Sequence, residues 1–393
     1  GQPLGAAIAS FAANYAMDRA TFRPLLLASS LLLVAGAAFL HAGRAADVFG
    51  VVVVGRLVSG AATAAMRQIC SVLPYVVLGA SAPQAGTATT VLQPFTELGI
   101  LVVAGYTYAA APRELGPGDP SLEALVHGHV ALLHALAAAV AVTCVFLREP
   151  ALAEGQRGSV PIPAAGLIAP LARYPGNVAV LALTPASFIL TGLFGFSVFA
   201  PLYSDEAFGI EPSFAPLVIQ IFSAFFGLLS FALRRVFVAP RPVFLFGALV
   251  SSCGSLAFGV VVQPDVGASA EARQIGGLFV VAVFFFALQA FVGSALYEVG
   301  LPLVPGPLAA GAAAILNAFF NVFAAILSLV FPLAIVALSG GPSGNILLGV
   351  SSLYFIMGGL GLLFFGIHVW KLHPTPAGSD QEHASKPTAP ESA

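Results

Sequence analysis

One apolar stretch of about twenty residues follows another along this chain, and the breaks between them are short and either charged or rich in Pro and Gly. A helix of roughly that length crosses the hydrocarbon core of a bilayer. The repetition therefore predicts a bundle of membrane helices, with spans near 1–17, 24–42, 48–79, 88–111, 126–147, 177–203, 213–233, 242–262, 275–300, 308–339 and 345–370. A membrane barrel would show shorter segments of alternating polarity, whereas these are evenly apolar, so helices must satisfy the backbone polar groups. The fold class expected is an all-α integral membrane protein that crosses the bilayer many times.

Charge supports the same reading. Only 8% of residues are charged and 59% are apolar, against roughly 25% charged in a water-soluble domain. Ten cations fall on connections in register with Arg19 and Arg23, namely those two with Arg148, Arg157, Arg173, Arg234, Arg235, Arg241, Lys371 and Lys386, and three (Arg44, Arg113, Arg273) fall on the opposite connections. By the positive-inside rule the ten-cation side is cytoplasmic. It is called the inner side below.

The longest polar interruption, 148–176, separates five predicted helices from six. Two helical halves joined by such a link, with a site near the midplane between them, is a common plan among secondary transporters. The expected division is an N-terminal bundle at 1–147, a cytoplasmic linker at 148–176, a C-terminal bundle at 177–370 and a disordered tail at 371–393. The tail is polar and rich in Pro and Ser, without apolar periodicity. Cys70, Cys144 and Cys253 all fall in predicted spans, where a thiol acts as a small buried hydrophobe.

Several short motifs carry chemistry. Asp18-Arg19-Ala20-Thr21-Phe22-Arg23-Pro24 is a compact charged turn between two helices, able to pair with helix ends. Gly55-Arg56-Leu57-Val58-Ser59-Gly60, Leu73-Pro74-Tyr75-Val76, Glu97-Leu98-Gly99-Ile100, Arg234-Arg235 with Arg241, Tyr297-Glu298 followed by Pro302, and Asn317 with Asn321 come in that order. In these motifs the chain resembles the major facilitator superfamily, and within it the sugar porter branch that includes facilitative glucose transporters.

The resemblance implies a twelve-helix fold, with the chain entering at the second helix and apparently lacking the first; the absence of an initiator Met fits a shortened N-terminus. It implies gating or structural roles for Asp18, Arg19, Arg23, Arg56, Arg234, Arg235 and Glu298. It places Glu97 where the family has a sugar-contacting Gln, and Asn321 at a sugar contact. The sequence also departs from the pattern. Of the seventh-helix amide run only Gly192 remains, Phe222 lies near the eighth-helix Asn position, and Gly293 lies near the tenth-helix Trp position.

A charge at the bilayer centre costs roughly 2.5 to 3.5 kcal/mol on insertion scales, so such residues face a bundle interior or a wet cavity. Arg67 and Glu97 are the deepest, at about 20 Å and 16 Å from their nearest inner turns at 1.5 Å per residue. They are expected to pair across a central cavity, either binding solute or merely locking two helices. Gln220, Asn317, Asn321 and Gln289 are the other mid-membrane polar groups, read either as solute contacts or as interhelical hydrogen bonds. His127, His129 and His134 with Glu123 have no specific metal-site spacing.

No phosphate-binding loop and no nucleophile with a base at useful spacing is visible. The expectation is no enzyme activity, no cofactor and no nucleic-acid partner; the partners are a small solute, membrane lipid and, through Glu97, a proton. The leading function is alternating-access transport of a small polar solute, with a sugar first, as the resemblance alone implies, and a carboxylate-bearing solute second, on Arg67 and the missing amides. A non-transporting membrane sensor on the same scaffold is a further alternative.

Overall fold

The computed structural model describes residues 2–17, 21–78, 92–110, 120–146, 175–189, 202–211, 214–233, 239–264, 269–304, 309–341 and 343–372. The first half holds α1 (Gln2–Met17), α2 (Phe22–Ala45), α3 (Phe49–Leu78), α4 (Leu92–Ala110) and α5 (Pro120–Phe146). The second half holds α6 (Pro175–Phe188), the short α7 (Ser204–Phe208), α8 (Ala215–Leu233), α9 (Pro240–Val262) and α10 (Ala270–Ala287). A π turn (Leu288–Gly293) continues α10 into α11 (Ser294–Gly300), and α12 (Ala309–Leu338) and α13 (Ile346–Lys371) follow. No strand occurs among the described residues. Of the expected linker 148–176 only the last two residues are described, as the start of α6.

Six of the described helices are long and apolar enough to cross a membrane: Phe22–Ala45, Phe49–Pro74, His127–Phe146, Pro240–Val262, Gly311–Leu338 and Ile346–Lys371. Their outer faces show why water is the wrong solvent. Phe49 and Phe146 are each 79% exposed and Leu329 and Leu333 each 71%, large apolar groups on the outside of long apolar helices, as a lipid solvent requires. The protein is an integral, multi-pass membrane protein. Hydroxyls within the spans are satisfied locally: Ser29, Ser30, Thr63, Thr184 and Ser252 each donate to the carbonyl four residues back, at 2.6–2.8 Å. In lipid, where no water can take that role, this keeps a small polar side chain inexpensive.

Helix ends follow their residues. Pro240 opens α9, where its missing N–H costs nothing. Asn345 caps α13, its side chain accepting from the N–H groups of Leu347 at 3.0 Å and Leu348 at 3.4 Å. Lys371 stands over the Trp370 ring at 4.1 Å at the inner end of that helix, a pairing suited to the headgroup layer. Replacing Asn345 by alanine should cost about 1 kcal/mol; the readout is a lower thermal-unfolding midpoint in detergent, with solute uptake retained.

In the first half α3 packs against both α1 and α2, and α2 also packs against α5. These crossings are close because glycine allows them. A Cβ on Gly60 would collide with the backbone carbonyl of Gln2, and one on Gly55 would lie 2.8 Å from the Leu40 nitrogen. In the second half α9 packs on α13 and α10, while α6 packs on α12 and α13. Phe244, Phe258, Leu288, Phe331 and Tyr354 form its buried centre. The halves meet along α1 with α12, α4 with α8, and α3 with α12. A second apolar cluster joins them at their inner ends: Phe22, Ile69 and Val72 pack with Leu181, Leu301, Val304 and Leu316.

Candidate functional site

Directly outward of that inner cluster, the seam between α3 and α12 becomes polar. Gln68 is 0% exposed and Asn317 is 1% exposed. The Asn317 Nδ2 donates to Gln68 Oε1 at 2.6 Å, and the Tyr297 hydroxyl donates to Asn317 Oδ1 at 2.5 Å. Three helices thus contribute to one buried polar chain: α3 from the first half, α11 and α12 from the second. The π turn at Leu288–Gly293 precedes Tyr297 and shifts the register of the residues after it, which is how such turns re-aim side chains near functional sites.

Arg67, next to Gln68, is half-buried and lies over the Phe320 ring of α12, with its guanidinium carbon 4.5 Å from the ring centroid. That is within cation–π range. Asn321, one turn beyond Asn317, is also half-buried and donates through Nδ2 to the Asn317 carbonyl at 2.7 Å. That amide nitrogen is therefore bonded within its own helix, not to a neighbouring one. Arg67 and Asn317 thus each touch a residue of the opposite half, while the Asn321 amide is held within α12.

Other expected residues lie elsewhere or outside the described set. Glu97 falls on α4, but its side chain lies outside the described residues, so the Arg67–Glu97 pairing stays an expectation; the Gln289 side chain is likewise outside. Asp18, Arg19, Arg234 and Arg235 also lie outside them. Arg23 donates to the Val145 carbonyl at the inner end of α5, at 2.5 Å. Gln220 is half-buried on α8, its Oε1 buried without a hydrogen-bond partner among the described residues. Glu298 is half-buried beside Tyr297.

Arg56 lines a cavity of about 760 Å³ in the outer part of the first half, together with Ser59, Thr63, Val103, His129 and Leu133. This space is set within the first half and is not the midline passage expected between the halves. Arg56, Ser59 and Thr63 of its lining share one face of α3 with Arg67, at spacings of three, four and four. Thr63 lies one turn, about 6 Å, outward of Arg67.

The histidines of α5 do not gather. His129 sits by Tyr106, with ring centroids 5.6 Å apart, while His127 and His134 flank His41 of α2 at 5.4 and 6.4 Å. Among the described residues no three His, Cys, Asp or Glu side chains form a group that could hold a metal ion. Cys70, Cys144 and Cys253 are free thiols.

Two bundles of apolar helices with scarce polar groups turned onto their shared seam make the architecture of a membrane solute transporter. The profile of the family described as "Sugar (and other) transporter" matches residues 2–149. Glucose transporter 2A of Trypanosoma brucei brucei is 24% identical over 397 residues, covering 98% of this chain and 73% of that protein. Glucose transporter HT1 of Trypanosoma vivax is 25% identical over 396 residues, covering 98% of this chain and 70% of that one. Among solved structures, the E. coli fucose:proton symporter FucP superposes with a TM-score of 0.64 at 15% identity, covering 95% of this chain and 89% of that one. The xylose transporter XylE from E. coli, in a partially occluded inward-open conformation, gives 0.65 at 15% identity, covering 96% and 86%. The chain has the all-α fold of these transporters, and its residues 2–149 are similar to the sugar transporter family.

Proposed function

We propose that this protein carries a small hydroxylated solute, a sugar, across its membrane by alternating access, with the two halves rocking about a site on the α3–α12 seam. The observation that carries this reading is that polar groups cross the seam outward of an apolar inner cluster, Arg67 to the Phe320 ring and Asn317 to Gln68, with Asn321 one turn further along α12. Amides and a guanidinium are donors and acceptors suited to hydroxyl groups. The relatives matched over nearly the whole chain are named glucose transporters, which supports a hexose as the first solute to test. Glu97, on α4, is the proposed fourth contact and the group through which a proton could couple, and Gln220 of α8 a fifth.

A second reading follows from Arg67 itself. A seam cation gives a carboxylate-bearing solute charge-assisted hydrogen bonds that a neutral sugar does not make. Arg67→Thr and Glu97→Gln, made separately, decide between the readings. Each should lower hexose uptake into proteoliposomes by at least tenfold, about 1.4 kcal/mol, with the yield of folded protein unchanged. If Arg67→Thr leaves hexose uptake intact and removes uptake of an organic anion, the second reading replaces the first.

A further inference from the structure

We propose that the Gln68–Asn317 hydrogen bond is a latch between the halves that a solute hydroxyl replaces, which makes Gln68 a solute-binding residue of the first half. This rests on the reading of the seam as the solute site. The two amides meet at 2.6 Å with both residues essentially inaccessible to solvent. Beyond them toward the inner side an apolar cluster joins the halves, with Ile69 and Val72 on one side and Leu301 and Leu316 on the other.

Apolar groups can part without leaving a hydrogen-bonding atom unsatisfied. The amide pair cannot: separating α3 from α12 strips an acceptor and a donor in one step, in a space with little water, and an unmet buried polar group is costly. The Gln68–Asn317 bond is thus a directional tie across the closed seam, and breaking it calls for a replacement partner.

A hydroxyl supplies that partner. It carries a donor and an acceptor on a single oxygen, so with the amides oriented as they are it donates to Gln68 Oε1 while accepting from Asn317 Nδ2. A carboxylate offers acceptors only; it satisfies Asn317 but sets oxygen against oxygen at Gln68. The Tyr297 hydroxyl, donating to Asn317 Oδ1, holds the Asn317 amide in the orientation this exchange needs and is a positioning residue.

The test reads opening of the seal directly. Ile315, in the apolar seal and 6% exposed, is replaced by cysteine in a full chain whose Cys70, Cys144 and Cys253 are alanine. Labelling by a membrane-impermeant maleimide is followed from the inner side of sealed vesicles, with and without D-glucose. Gln68→Leu should label about fivefold faster than its parent without any solute, the shift expected from losing one ordinary hydrogen bond. Tyr297→Phe, which removes a single oxygen and is the variant least able to disturb folding, should shift the rate the same way by less. D-glucose should speed labelling of the parent and add little to Gln68→Leu.

Unchanged labelling in both variants overturns the latch, as does glucose acting equally on the parent and on Gln68→Leu. If Gln68→Leu is fast but glucose has no effect on the parent, the latch stands and it is the sugar reading of the site that fails.

Discussion

Asn317→Leu should sharply lower uptake while leaving a folded, membrane-inserted protein. Asn317 holds both neighbours of the polar chain, donating to Gln68 and accepting from Tyr297, and it is only 1% exposed. Leucine has a similar volume and no polar atom, so the packing is kept and the hydrogen bonds are lost. Leaving Gln68 and Tyr297 without that partner costs about 1–3 kcal/mol of stability, a visible but survivable drop in melting temperature. The effect on transport is larger. Loss of one or two solute hydrogen bonds together with the orienting contact should lower uptake at low solute concentration by roughly ten- to a hundredfold, at 1.4 kcal/mol per factor of ten. The check is initial-rate uptake in proteoliposomes, normalised to protein recovered as a monodisperse peak. Uptake within twofold of the parent would show that Asn317 is a structural tie and no part of the solute site.

Gly60→Ala should cost more in stability than any other single-methyl change discussed here. The added Cβ meets the Gln2 carbonyl of α1, which is backbone and cannot rotate away, so α1 must move off α3. Overpacking of this kind costs about 1–3 kcal/mol, and the unyielding partner puts this site at the upper end. Because α1 also packs on α12, the displacement reaches the contact between the halves. Gly359→Ala is the matched control: a Cβ there meets nothing within 4 Å, and alanine is the better helix former by about 1 kcal/mol. The expected result is a lower melting temperature and poor recovery for Gly60→Ala and an unchanged or higher melting temperature for Gly359→Ala. Equal behaviour of the two would remove the argument that the Gly-Arg-x-x-x-Gly motif exists for helix approach at its second glycine.

The helices were legible in the sequence because lipid asks for continuous apolar runs, and the chain shows them at nearly their final boundaries; α2, α3, α12 and α13 differ from the expected spans by a few residues at each end. Arg67, Asn317 and Asn321 stood out for the same reason, as polar residues in stretches that otherwise have none. What sequence could not convey was azimuth between halves. Gln68 lies one position and about 100° around α3 from Arg67, and only the docking of α12 decides which of the two faces Asn317 and which lies on Phe320. Tyr297 depends on the π turn before it, and no apolar period predicts an added residue in a helical turn. The cavity beside Arg56 was not legible either, since it arises from the spacing of α2, α3 and α5 and not from any motif. A polar residue adjacent to a mid-membrane cation was the signal that could have pointed to Gln68.

The most direct test of the central claim, that a hydroxylated solute crosses on the seam between the halves, is uptake of labelled hexoses, amino acids and organic acids by the protein in proteoliposomes, with and without a pH gradient. Saturable uptake of a hexose, competed by other hexoses and sharply lowered in Asn317→Leu, is the predicted result. Protein that inserts and folds, yet moves no sugar in either condition while carrying an organic acid or nothing at all, would contradict it.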